Sequence, residues 1–126
     1  MRSLVIDDDY TSQTMFVRFL ENFGTCDTAT TGLDGLQKFK DSINQGAKYD
    51  LVVIDIILPD INGDIVLESI RSEERFLSTK IVLTTSLDDK ENRQLCGKLR
   101  SGHETYYVKR CALDGFREKL GELGLD

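Results

Sequence analysis

The chain has 126 residues, 40% of them hydrophobic and 30% charged, with a formal net charge of −6. That length suits one domain with a real core, and the composition is ordinary for a globular protein. The acidic balance without any basic run argues against a nucleic-acid binder, no apolar stretch approaches the roughly 18 residues of a membrane span, and MRSLVIDDD has no signal-peptide core before its acids.

In chain order, residues 3–6 form a short apolar run that stops at three consecutive acids, Asp7, Asp8 and Asp9. Two carboxylates about 4 Å apart repel by roughly 4 kcal/mol at an effective dielectric near 20, so a row of them at a core edge calls for a positive partner. A solvated turn is the plain alternative. Residues 11–23 carry Phe16, Phe19, Leu20 and Phe23 at helical spacing, and Gly24 stands where a C-terminal glycine is expected. Residues 25–29 read as a weak second strand. Leu36, Phe39 and Ile43 then mark a helix over 33–43 that Gly46 closes.

The run LVVI at 51–54 is continuously aliphatic, as in a strand buried on both faces, and Asp55 ends it. Val66, Leu67 and Ile70 place a third helix after Gly63. Residues 80–84 form a fourth strand. A polar helix with a thin apolar stripe of Leu95, Cys96 and Leu99 is predicted over 88–101. Residues 106–108 form a fifth strand, and Leu113, Phe116, Leu120 and Leu123 give a last helix its buried side. Cys26, Cys96 and Cys111 are odd in number, contain no C-x-x-C pair and are joined by a single His, so they read as free thiols of a reducing, cytoplasmic setting rather than a zinc or disulfide framework.

Five strand-then-helix repeats imply an α/β domain with a parallel sheet between helices. The expected architecture is flavodoxin-like and doubly wound: five parallel strands in the order 2-1-3-4-5 with five helices, its ligand site at the carboxyl ends of strands 1 and 3. The sequence puts polar residues at that rim. Strand 1 ends in Asp7 and Asp8, strand 3 in Asp55, strand 4 in Thr84, Thr85 and Ser86, and strand 5 in Lys109. Clustered carboxylates suit a hard cation such as Mg²⁺, which would relieve their repulsion. One carboxylate could then act as a nucleophile toward phosphorus, with the cation and a lysine neutralising charge on the transferred oxygens.

These residues resemble the receiver domain of two-component response regulators, the chemotaxis-type single-domain regulators in particular. The motifs are VIDDD at 5–9, DLVVIDIILPDING at 50–63, KIVLTTS at 80–86 and YYVK at 106–109. The resemblance covers essentially the whole chain, 1–126, as a single receiver domain without a visible output domain. It implies that Asp55 is the phosphoacceptor and that Asp8, Asp55 and the backbone carbonyl of Ile57 bind Mg²⁺, with Asp7 acting through water. It makes Thr85 the switch hydroxyl, Lys109 the phosphoryl-binding lysine and Tyr106 the aromatic reporter of activation. A sensor histidine kinase or phosphotransfer protein is the implied donor. A downstream protein is implied at the face of the polar helix, the fifth strand and the last helix, with no nucleic acid and no membrane as partner. Asp9 reads as a solvated acid at the first turn of its helix. Thr84 reads as a core-facing strand residue, and Tyr107 as cover for a helix.

One departure stands out. Arg110 follows the lysine where the family has a proline after a cis bond. A cis bond before a non-proline residue costs about 3–4 kcal/mol, so a trans Lys109–Arg110 bond and an altered loop before Leu113 are expected. Ile57 and Leu87 occupy positions that tune phosphoryl lifetime in the family, and two apolar residues there imply slow hydrolysis. Two other readings stay open. DDDYT fits the D-x-D-x-T loop of haloacid-dehalogenase phosphatases through Asp7, Asp9 and Thr11, which turnover of a phosphate ester would reveal. A receiver-like docking module independent of phosphorylation would take no label from a small phosphoryl donor.

Overall fold

The computed structural model describes residues 1–73, 78–86, 99, 102–109, 113 and 115–125. Its strands are β1 (Ser3–Ile6), β2 (Cys26–Ala29), β3 (Leu51–Asp55), β4 (Lys80–Thr85) and β5 (Glu104–Val108). Among the described residues there are four helices: α1 (Tyr10–Leu20), α2 (Gly32–Asn44), α3 (Gly63–Glu73) and α4 (Phe116–Glu122). The polar helix expected over 88–101 lies outside the described residues, as do Leu87, Cys96, Arg110 and Cys111.

The strands form one parallel sheet in the order β2-β1-β3-β4-β5, the order expected from the sequence. Side chains alternate along each strand, and both faces are covered. Leu4, Ile6, Val52, Ile54, Ile81 and Leu83 meet Phe39 of α2 and Val66, Leu67 and Ile70 of α3. Val5, Leu51, Val53, Val82 and Tyr107 meet Phe16 and Leu20 of α1 and Phe116 and Leu120 of α4. Burial on both sides explains why β1 and β3 read as unbroken apolar runs. Tyr107 packs edge-on against Phe16 and Phe116, so it does cover helices.

Two boundaries differ from the sequence reading for local reasons. Helix α1 stops at Leu20, because Asn22 and Phe23 close tighter turns onto Phe19 and Leu20 and the Asn22 side chain takes the Phe19 carbonyl. Strand β5 starts at Glu104, two residues early, because that carboxylate is buried against Arg71 at 2.6 Å.

Candidate functional site

The rim residues converge because their strands share one register. Ile6 pairs with Ile54, Asp55 with Thr84, and Thr85 with Val108. Asp7 follows Ile6 directly, and Lys109 follows Val108. Beyond the strands the ladder runs on: Asp7 N–H donates to Ala29 O, Ile56 N–H to Thr84 O and Lys109 N–H to Thr85 O, at 3.0, 2.8 and 2.7 Å. Period two then sorts the side chains. Asp7, Asp55 and Lys109 each stand two residues beyond Val5, Val53 and Tyr107, on the α1/α4 face. Thr85 stands two beyond Leu83, on the other face, where Tyr106 also packs.

Asp7 is 1% exposed and Asp55 8%, whereas Asp8 is exposed. Lys109 Nζ lies 2.8 Å from Asp7 Oδ2 and 3.1 Å from Asp55 Oδ2, so one ammonium spans two buried acids. The contact to Asp7 is an ion pair more than an aligned hydrogen bond, and no donor among the described residues meets that buried oxygen in good geometry. The other oxygens are held by backbone: Asp9 N–H donates to Asp7 Oδ1 at 2.9 Å and Ile57 N–H to Asp55 Oδ1 at 3.0 Å. Burial pushes the Asp55 carboxyl up to about 6; Lys109 opposes the shift and the Asp7 charge adds to it. Burial would lower the Lys109 ammonium, but the close negative charges of Asp7 and Asp55 outweigh that and raise it.

Ligand oxygens of Asp7, Asp8 and Asp55 lie within 4.8 Å of one another. Among the described residues, three carboxylates against one ammonium leave an excess of negative charge, one acid is open to solvent and one buried oxygen lacks an aligned donor. That donor set fits a hard divalent cation that takes oxygen ligands and keeps waters. Asp9 is outside the set. It is the N-cap of α1, accepting from Thr11 N–H and the Ser12 hydroxyl at 3.3 and 2.7 Å, and these bonds, that from Ser12 first, hold its carboxyl below the usual range. Thr84 is fully buried with its hydroxyl directed to Ile54 O at 3.4 Å. Thr85 is also buried, one step nearer the rim. Ile57 is 57% exposed. The bond from Lys109 to Arg110 and the loop after it fall outside the described residues.

Close approach of the backbone shapes the floor of the site. A Cβ at Gly63 would stand 2.3 Å from Asp55 O, and Gly63 N–H donates to Ile56 O at 2.7 Å. The sequence reading missed Gln13, whose side-chain amide donates to Asp7 O and Ala29 O at 3.0 and 3.2 Å and ties the acidic loop to β2. A polar residue on an otherwise amphipathic helix gave no signal for that role. It also missed Asp60, which bonds the start of α2.

Comparison with known proteins agrees with this geometry. The family model described as the response regulator receiver domain matches residues 3–120. The probable transcriptional regulatory protein SilR of Salmonella typhimurium is 32% identical over 110 residues, 86% of this chain and 44% of SilR. The chain thus spans less than half the length of that relative. The response regulator protein TrrA of Thermotoga maritima, solved in complex with Mg(2+)-BeF, is 31% identical; 97% of each chain is covered, with a TM-score of 0.73. TrrA in complex with the histidine kinase ThkA matches at 30% identity with the same coverage and TM-score. With a parallel sheet in the right order, an acid cluster at its rim and a family match across nearly its whole length, the chain belongs to the response regulator receiver domain family, the receiving module of two-component phosphorelays.

Proposed function

We propose that this domain is a regulatory switch that takes a phosphoryl group onto Asp55 from a phosphohistidine of a sensor histidine kinase or phosphotransfer protein. The observation that carries the reading is the convergence of Asp7, Asp8 and Asp55 with Lys109 bridging two of them. An Asp55 oxygen attacks phosphorus and the P–N bond breaks with its electron pair returning to the ring nitrogen, so that a phosphohistidine protonated on its other ring nitrogen leaves as neutral imidazole. With its carboxyl near 6, Asp55 is mostly ionised at pH 7 and available as the nucleophile. Asp8, Asp55 and the Ile57 carbonyl would hold Mg²⁺, with Asp7 acting through a bound water; the ion would supply charge neutralisation for the transferred oxygens. Lys109, freed from part of its bond to Asp55, would pair with the new phosphoryl group, and the Thr85 hydroxyl would donate to it.

The added charge would then bias two conformations, with Tyr106 on the Thr85 face following the change. The protein's product is its own modified state, so the reading is of a switch and not of an enzyme with a separate substrate. Ile57, largely exposed beside the acceptor, would screen the acyl phosphate from water. A cytoplasmic setting fits the family and the free thiol of Cys26, and no helix of the described residues is long and apolar enough to cross a membrane.

The test is intact mass after incubation with a small phosphoryl donor and Mg²⁺. One phosphoryl group is expected on the wild type, none on Asp55→Asn and none with excess chelator. Full labelling of Asp55→Asn, or release of phosphate from an ester without labelling, would overturn the reading.

A further inference from the structure

The loop from Ile56 to Gly63 carries Ile57, whose N–H orients Asp55. Its ends are held by β3 and by the Gly63 N–H bond to Ile56 O. Its crown is held differently. Asp60 Oδ1 accepts from Gly32 N–H and Oδ2 from Leu33 N–H, both at 2.8 Å, across 28 and 27 residues of chain.

The bond count at the start of α2 shows why that matters. A helix leaves its first four N–H groups without internal partners. Here Thr31, the N-cap, takes Asp34 N–H on its Oγ1 at 3.1 Å, and the first internal bond runs from Gly35 N–H to Thr31 O at 3.0 Å. Gly32 and Leu33 N–H, which have no partner within the helix, go to Asp60. The carboxylate is not serving its own helix, because the first bonds of α3 run from Ile65 and Val66 to Asn62 O. Nor is it bound to the rim cluster of Asp7, Asp8 and Asp55. The Leu33 amide above all, then that of Gly32, holds its carboxyl below the usual range although it is exposed. The approach is close: a Cβ at Gly32 would stand 2.5 Å from Ile61 Cγ1, so the loop and the helix start touch without a spare side chain between them.

We propose that Asp60 is a positioning residue: by bridging to the first two amides of α2 it fixes the Ile57 peptide against Asp55, and so sets how tightly the acid pocket holds its divalent cation. The proposal rests on the reading of Asp7, Asp8 and Asp55 as a cation pocket. Residues that orient a ligand without touching the metal commonly change affinity by about 10-fold or more.

The experiment uses the full 126-residue chain with Asp60→Ala, Asp60→Asn and, as a control, Thr31→Ala, which frays the same helix start without touching the loop. Mg²⁺ affinity is read by calorimetric titration, and hydrogen exchange of the Ile57 amide is read without metal. Asp60→Ala is expected to weaken Mg²⁺ binding about 10-fold and to speed Ile57 exchange by a similar factor, with Thr31→Ala close to wild type. Asp60→Asn, which keeps one acceptor oxygen, should fall between. Equal effects of Asp60→Ala and Thr31→Ala would reduce the residue to a helix cap and overturn the proposal, as would an unchanged Asp60→Ala. If the wild type itself binds no Mg²⁺, the cation pocket fails, and the Ile57 exchange rates still decide whether Asp60 holds the loop.

Discussion

Two buried charge clusters stand at opposite ends of the same sheet, and they are built to opposite rules. At the amino end, Arg71 of α3 meets Glu104 of β5 one to one, with side chains 7% and 1% exposed. The guanidinium is further satisfied by Thr79 O at 2.7 Å and His103 O at 3.4 Å, and its Nε also reaches Glu104. At the carboxyl rim, one ammonium spans Asp7 and Asp55 beside a third acid, Asp8, and among the described residues a buried oxygen of Asp7 lacks an aligned donor. The first cluster is neutral and complete, as a structural pair must be to offset its desolvation. The second is acidic and incomplete, and it holds the carboxyl pushed up to about 6. A buried acidic cluster with a strongly shifted carboxyl is a feature of functional sites more than of structural pairs.

The contrast can be broken experimentally, from the amino end first. Arg71→Ala should cost about 3–5 kcal/mol in denaturant unfolding, because Glu104 is left buried without its cation. Replacing both partners with apolar residues should cost far less, and equal losses would mean that packing rather than charge pairing holds that corner. At the rim the sign reverses on adding a cation. Mg²⁺ at 100 times its dissociation constant should stabilise the wild type by about 2.7 kcal/mol, visible as a higher Tm that chelator removes.

Asp55→Asn should stabilise the metal-free protein at pH 7. The Asp55 carboxyl is higher in the fold than its ordinary 3.8, so ionising it favours unfolding. That cost is absent below about pH 4 and grows as pH rises through 6, so the advantage of the variant should appear over that window and level off above it. After allowance for solvent screening, a gain on the order of 1–2 kcal/mol is expected. The smallest effect sharpens the amino-end side. Tyr49 donates to Asp27 Oδ2 at 2.6 Å, and burial first, then that bond, pushes its hydroxyl up to about 12. The fold therefore loses stability as pH rises from 10 through 12. Tyr49→Phe should flatten that alkaline loss while costing about 1 kcal/mol at pH 7.

The difference between the two clusters also explains what was legible in advance. Asp7, Asp8, Asp55 and Lys109 were visible because each stands just after an apolar run, and a parallel sheet sends such residues to one rim. Glu104 was not, because a charged residue inside a strand argues against the strand until its partner is known. Arg71 supplies that partner from 33 residues away. Asp60 and Gln13 were hidden for the same reason: their bonds span 28 and 16 residues, and no local spacing reports them.

By itself the sequence determined the alternation of strands and helices, the two-sided burial of β3, and which acids and which lysine would reach the carboxyl rim. These follow from periodicities of 2 and 3.6, which are properties of neighbouring residues. Only the tertiary structure decided that Lys109 spans Asp7 and Asp55, that Asp9 turns away to cap α1, and that Asp60 ties the loop after β3 to α2. Those are choices among partners distant in the chain, and they are settled by register and close packing.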